Sequence, residues 1–125
     1  MPTAKEMEAA VHAYVDAFDK GDADLAAALF AEDATVEDPV GTPAKVGIAA
    51  IRAFYATSML TGARLVLHGP VRVTANDHVA FAFQVRLHMN NADINIDVID
   101  IFRFNEHGKI IEMRAFFGPA NMTVL

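Results

Sequence analysis

The sequence predicts an α+β fold in which helices pack on one face of an antiparallel-rich sheet. Two observations predict it. Apolar residues recur at helical spacing as far as Met59, and after Gly62 they alternate along segments joined by hairpin-type turns. A third observation sets the scale: 125 residues without a repeat, linker or low-complexity tract suit one domain, residues 1–125, with one core.

The first helix opens at Thr3-Ala4-Lys5-Glu6, a capping box, and Met7, Ala10, Val11, Tyr14, Val15 and Phe18 form its inner stripe. Gly21 stops it, because glycine accepts the left-handed conformation at a helix end. Asp22 can cap a second helix that carries Leu25, Ala28, Leu29 and Phe30 inward. A short alternating strand, Ala34 to Asp38, ends at Pro39-Val40-Gly41. The third helix spans Ile48 to Met59, with Ile48, Ile51, Tyr55 and Met59 on one stripe. Strands follow at Arg64 to Leu67, Val71 to Thr74, Val79 to His88, Ile94 to Phe104 and Ile110 to Phe117. Asn90-Asn91 suits a hairpin turn, and Gly108 can supply positive φ in the longer turn Asn105-Glu106-His107-Gly108.

Composition removes several function classes. With 54% hydrophobic and 21% charged residues the chain is not disordered. A net charge of −6 argues against nucleic acid and anionic membranes as partners. The absence of cysteine removes disulfides, thiolate nucleophiles and Cys-ligated metals. The opening MPTAKEMEAAVHAYV has no uninterrupted apolar run and reads as no signal peptide, so the expectation is a cytoplasmic protein. His12, His68, His78, His88 and His107 lack metal-ligand spacing, and no phosphate loop occurs, so no metal and no cofactor are expected.

The segment Ile94 to Phe104 is more informative. Its even positions are Ile94, Ile96, Val98, Asp100, Phe102 and Phe104, which puts Asp100 in the middle of the most apolar face of the chain. A carboxylate there suffers a desolvation penalty of several kcal/mol. Two readings are open: a structural Asp salt-bridged across the fold, or a neutral acid that donates a hydrogen bond. Arg103, its nearest basic neighbour, points to the opposite face. Asp38 shares a face with Ala34 and Val36, and is either a turn-opening Asp-Pro or an inward carboxylate. Tyr14 and Tyr55, the only tyrosines, both sit on apolar helix stripes, where a packing role is the simpler reading. Two inward carboxyls and two inward phenols among many Phe suit acid–base chemistry on an apolar small molecule.

The stretches Ala34-Thr-Val-Glu-Asp-Pro-Val-Gly41, Phe54-Tyr55, Val98-Ile-Asp-Ile-Phe-Arg-Phe104 and Asn105-Glu-His-Gly-Lys-Ile110 resemble bacterial Δ5-3-ketosteroid isomerase, essentially end to end. The resemblance implies a cone of helices over a curved sheet, shared with nuclear-transport-factor-like proteins, and a homodimer needing no cofactor. It implies Asp38 as base, Tyr14 and protonated Asp100 as oxyanion donors, and Tyr55 as support for Tyr14. Phe30 falls where some members carry a further Tyr, so a shorter hydrogen-bond network is implied. Phe83, Val85, Met113 and Phe117 fall where members line the steroid pocket. Alternation also turns Phe83, Val85, Met113 and Phe117 inward.

The implied reaction needs Asp38 ionised, which a polar rim beyond Pro39 would permit, and Asp100 neutral, which an apolar strand face favours. Ile99, Ile101, Ile110 and Phe116 are expected on the far side of the sheet, as a dimer face. Other readings are a polyketide cyclase-like or dehydratase-like enzyme on the same fold, or a binder of hydrophobic ligands. A dehydratase would be expected to carry inward histidines.

Overall fold

Local signals place the first elements. In the computed structural model, which describes residues 1–125, helix α1 runs over Ala4–Lys20 behind the complete Thr3/Glu6 capping box. Its inner stripe of Met7, Val11, Tyr14 and Phe18 is buried. Gly21 closes it with φ 62°, ψ 34°. Asp22 caps helix α2 (Ala23–Ala27) by accepting from the N–H groups of Asp24 and Leu25.

The second helix differs from its expected pattern. It ends at Ala27 and buries Ala23 and Ala26, while Leu25 is 43% exposed. Phe30 belongs instead to strand β1 (Phe30–Glu37). A single helical turn with small side chains carries little periodicity, and tertiary packing decides which face is covered.

Strand β2 (Lys45–Val46) pairs antiparallel with β1, and helix α3 covers Ile48–Met59, as expected. The two predicted strands after Gly62 are one, β3 (Arg64–Val73), whose pairing shifts between His68 and Arg72. Strands β4 (His78–Met89) and β5 (Ala92–Phe104) form a long hairpin. Asn90 and Asn91 turn it with φ 54° and 60°, the pair of positive angles that a two-residue hairpin requires. Strand β6 (Ile110–Phe116) follows, then a 3₁₀ turn at Pro119–Asn121 and strand β7 (Met122–Val124).

The sheet order is β2-β1-β6-β5-β4-β3, with β7 added against β5. Only β1 and β6 run parallel. α1 lies over β3 and β4, and α2 packs on α3. One face of the sheet and the helices enclose a core of 24 buried residues.

Ile110 was expected on the outer face and is instead fully buried. Arg103 pairs with Glu112 and Phe104 with Ile110, so Ile111 is an extra residue that reverses the alternation. Ile99 and Phe116 do face out, 49% and 39% exposed.

Gly21 gives a clean test of the local signals. A Cβ there would meet nothing within 4 Å, so the cost of a side chain is backbone conformation alone. Gly21→Ala should lower unfolding free energy by about 1–2 kcal/mol in denaturant melts, with no change in m-value.

Candidate active site

Alternation along β5 places Asp100. Ile96, Val98, Asp100, Phe102 and Phe104 all face the helices and are buried. Asp100 stands opposite Phe81 on β4 and Ala115 on β6, so apolar neighbours flank it on both ladders. It is 1% exposed, and its Oδ1 has no hydrogen-bond partner. Burial pushes its pKa well above the ordinary carboxyl range, and the nearby Asp38 carboxylate pushes the same way. Arg103 is on the other face with Glu112, 3.5 Å away. The salt-bridged reading of Asp100 therefore fails: no cation reaches the group, and the stable form is the neutral acid.

Asp38 sits one residue past β1. Ala34 and Val36 are buried, and Glu37 turns the other way, where Arg114 Nε donates to its Oε1 at 3.1 Å. The Val40 N–H donates to the Ala115 carbonyl at 2.8 Å, fixing the chain just beyond. Asp38 thus projects on the inner side. Its rim is less polar than expected: burial raises its pKa to about 6, with Lys45 pulling it back down. Lys45 stands opposite Val36 on β2, hence on the inner side too, and its ammonium lies 4.5 Å from the centre of the Phe54 ring.

Tyr14 and Tyr55 meet from α1 and α3. The Tyr14 hydroxyl donates to that of Tyr55 at 3.1 Å, and burial pushes both phenols well above their usual range. Phe102 and Phe18 pack edge-on against Tyr14 at 5.1 and 5.3 Å between ring centres. Phe30 lies 5.8 Å from Tyr55, so a ring without a hydroxyl stands where the network could have lengthened. Because both partners are hydroxyls, the direction of the bond can reverse, freeing the Tyr14 proton for a ligand.

These four side chains line one cavity of about 250 Å³, with Phe83, Val85 and Phe117 among its mostly apolar wall. Met113 does not line it; it is fully buried in the core between Phe102 and Val36. Ile96 and Val98 are wall residues that alternation turned inward without distinguishing wall from core, and Leu65 and Leu87 complete that part of the wall. Lys45 had no signal, because a two-residue strand has no period. No group of three or more His, Asp or Glu side chains converges in the structure.

The protonation of Asp100 has a signature in stability. Its folded pKa is raised above the unfolded value of about 3.9, so between the two the folded chain holds a proton that the unfolded chain has released. This contribution is full below about pH 4 and declines as pH rises, by at most about 1.4 kcal/mol per unit. Asp100→Asn, which cannot ionise, should lack the decline. Its stability relative to the unsubstituted chain should grow from about pH 4 towards neutrality in denaturant melts. The opposite trend would make Asp100 an ionised structural residue.

The chain is similar to known proteins over most of its length. Residues 11–113 match the SnoaL-like domain. The chain is 41% identical over 120 residues to a steroid Δ-isomerase of Nocardioides simplex, covering 95% of each chain. It superposes with a TM-score of 0.94 and 27% identity, over the full length of both, on SalBIII. That protein is described as an epoxide hydrolase/cyclase-like enzyme in pyran ring formation in the polyether salinomycin. With the cavity, its carboxyls and its phenols in place, these matches show that the chain belongs to the SnoaL-like domain family, as a member of the ketosteroid isomerase type.

Proposed function

We propose that the chain, acting as one domain over residues 1–125, is a steroid Δ-isomerase that converts 3-oxo-Δ5-steroids to 3-oxo-Δ4-steroids. One observation carries the reading most directly. A single apolar cavity holds two carboxyls, of which Asp38 ionises near pH 6 and Asp100 stays protonated well beyond the usual range. The 41% identity to a steroid Δ-isomerase supports the substrate class.

The Asp38 carboxylate removes a proton from the carbon between the ketone and the alkene. The electrons move into a dienolate whose negative charge settles on the former ketone oxygen. Tyr14 and Asp100 each donate a hydrogen bond to that oxygen. Burial holds both protons in place, so the oxygen meets ready donors in a medium where each counts for ~10²–10³ in rate. Tyr55 turns its own hydroxyl proton to Tyr14. Protonated Asp38 then delivers the proton to the far end of the dienolate, and the double bond moves into conjugation. Acid, base and donors all come from the chain, so the reaction proceeds without a metal or cofactor.

The reading extends to a cytoplasmic homodimer, for which the exposed Ile99 and Phe116 offer an apolar contact face. No helix is long and apolar enough to cross a membrane. A second reading follows from the likeness to SalBIII: the same carboxyls could serve cyclisation of a polyketide or polyether.

The test is ultraviolet absorbance. A Δ5-3-ketosteroid should develop the conjugated-enone band on addition of the protein, whereas a cyclase would leave it unchanged. Asp38→Asn should lose ~10²–10⁴ in turnover while still binding steroid, because its amide keeps the shape but cannot accept the proton. More than a tenth of normal turnover in that variant would remove Asp38 from the role.

The pH profile is a separate check. The charged and titratable groups around Asp38 are Lys45, Asp100, Tyr14 and Tyr55, and of these Lys45 alone favours the carboxylate. Activity should fall on the acid side with a midpoint near 6. Lys45→Met should move that midpoint upward, with the neutral-pH plateau retained.

A further inference from the structure

The proposed mechanism uses Tyr14, Asp38, Tyr55 and Asp100. Two further polar side chains, Ser58 and Thr61, line the same cavity, and no step of the reaction needs them. Thr61 follows the end of α3, and its carbonyl accepts from the His88 N–H at 3.4 Å. That bond holds it beside the far end of β4, seven residues along the strand from Phe81, the partner of Asp100. The cavity therefore has polar groups at both ends, and only one end is occupied by the chemistry.

The two hydroxyls differ in what they have left to offer. The Thr61 hydroxyl donates to the Ser58 carbonyl at 2.7 Å, so its proton is committed and only its lone pairs remain. The Ser58 carbonyl also accepts from the Thr61 N–H at 3.3 Å, but the Ser58 hydroxyl takes part in neither bond. A serine inside a helix commonly turns its hydroxyl to the carbonyl four residues back, here that of Phe54. Ser58 does not, and its half-buried side chain keeps a free O–H at a cavity wall that continues through Ala63, Leu65 and Leu87. One hydroxyl free to donate and one that can only accept are together complementary to a third hydroxyl, which does both.

The spacing fits a steroid. A four-ring nucleus spans ~11 Å from its ketone oxygen to a substituent on the last ring. With the hydrogen bond to Asp100 included, that substituent lies ~14 Å from the acid. Four residues of β5, at about 3.4 Å each, cover the same distance and end at Ile96, opposite Val85, both cavity-wall residues. The helix side brackets this point. The Tyr55 hydroxyl bonds that of Tyr14, whose ring lies 5.1 Å from Phe102 and 6.2 Å from Phe81, so Tyr55 marks the level of Asp100. Thr61 marks the level of His88, and Ser58 comes midway between Tyr55 and Thr61 in the chain.

Resting on the isomerase reading above, we infer that Ser58 and Thr61 form a polar subsite that holds a hydroxyl on the last ring of the steroid. Ser58 donates to the oxygen of that hydroxyl, whose own proton goes to Thr61 Oγ1. A ketone in the same place engages Ser58 alone, and a last ring without oxygen engages neither. The substrates selected are 3-oxo-Δ5-steroids hydroxylated at the end remote from the reacting ketone.

The experiment follows the enone band of three Δ5-3-ketosteroids that carry a hydroxyl, a ketone or no oxygen on the last ring. Each is measured with the unsubstituted protein, Ser58→Ala and Thr61→Val. Comparing proteins on the same substrates cancels the different hydration of the steroids, and the steroid without the oxygen is the reference in every protein. Ser58→Ala should lower kcat/KM for the hydroxyl and ketone steroids by about threefold or more beyond any loss on the reference, chiefly through KM. Thr61→Val should do so for the hydroxyl steroid and spare the ketone. Alanine is the better helix former and valine keeps the shape of threonine, and the acid midpoint near 6 should stay in place in both variants. Equal losses on all three steroids in Ser58→Ala, or equal losses on hydroxyl and ketone in Thr61→Val, overturn the inference. If no substrate is isomerised, the isomerase reading fails instead. Calorimetric titration with the three corresponding 3-oxo-Δ4-steroids, already conjugated, then judges the subsite alone: the same pattern of losses in binding supports it, and equal losses refute it.

Discussion

A carboxyl with no partner, at the centre of an apolar sheet face, is stable only while it keeps its proton. That condition on Asp100 governs what surrounds it. The neighbours opposite it must be as apolar as Phe81 and Ala115, the helices must close over the sheet, and no cation can be allowed near. Tyr14 is held by the same dryness, ringed by Phe18, Phe81 and Phe102, and its phenol is pinned in the protonated form for the same reason. Water admitted to this face would favour ionisation of the acid, and in the proposed mechanism the pair would then be poorly suited to a developing oxyanion.

Asp38 shows how finely the same environment grades. It is half-buried, just past the end of β1 and diagonal to Lys45, so desolvation is partly offset and the group still ionises below neutrality. Phe54 holds the Lys45 ammonium over its ring, and no ion pair forms with Asp38. A direct contact would stabilise the carboxylate at the cost of its basicity. A charge acting without direct contact leaves Asp38 ionised and still able to accept a proton, as the proposed mechanism requires.

Much of this was legible in the sequence, for reasons that can be named. Asp100 was visible because β5 alternates over thirteen residues, and a long regular strand makes one anomalous position stand out. α3 was visible to its ends because its stripe is apolar and Gly47 and the turn after Met59 bound it. Failures came where structure is short or non-local. α2 is too brief to have a period. The bulge at Ile111, which sends Ile110 inward, depends on pairing with β5. Met113 faces the right way yet lies behind the cavity wall, and alternation reports face but not depth. Lys45 acts from a two-residue strand whose place is set by β1 alone. The same fold accommodates a steroid isomerase and an epoxide hydrolase/cyclase-like enzyme, so chemistry resides in such individual side chains and not in the architecture.

The parallel pairing of β1 with β6 has a consequence for how the molecule is assembled in time. Glu37 and Arg114, bonded across that pair, are 77 positions apart in the chain. Contacts of such separation form slowly, because a long loop must close before any of them is made. Helices and the β4–β5 hairpin need only local partners, so they can be in place while the segment around Asp38 still has no strand to lie against. During synthesis from the N-terminus Asp38 is made early and is held in place only when β6 arrives to carry the Ala115 carbonyl that tethers Val40. Tyr14 and Asp100, on α1 and β5, are likewise brought together only by contacts distant in sequence, so the whole cavity is completed late.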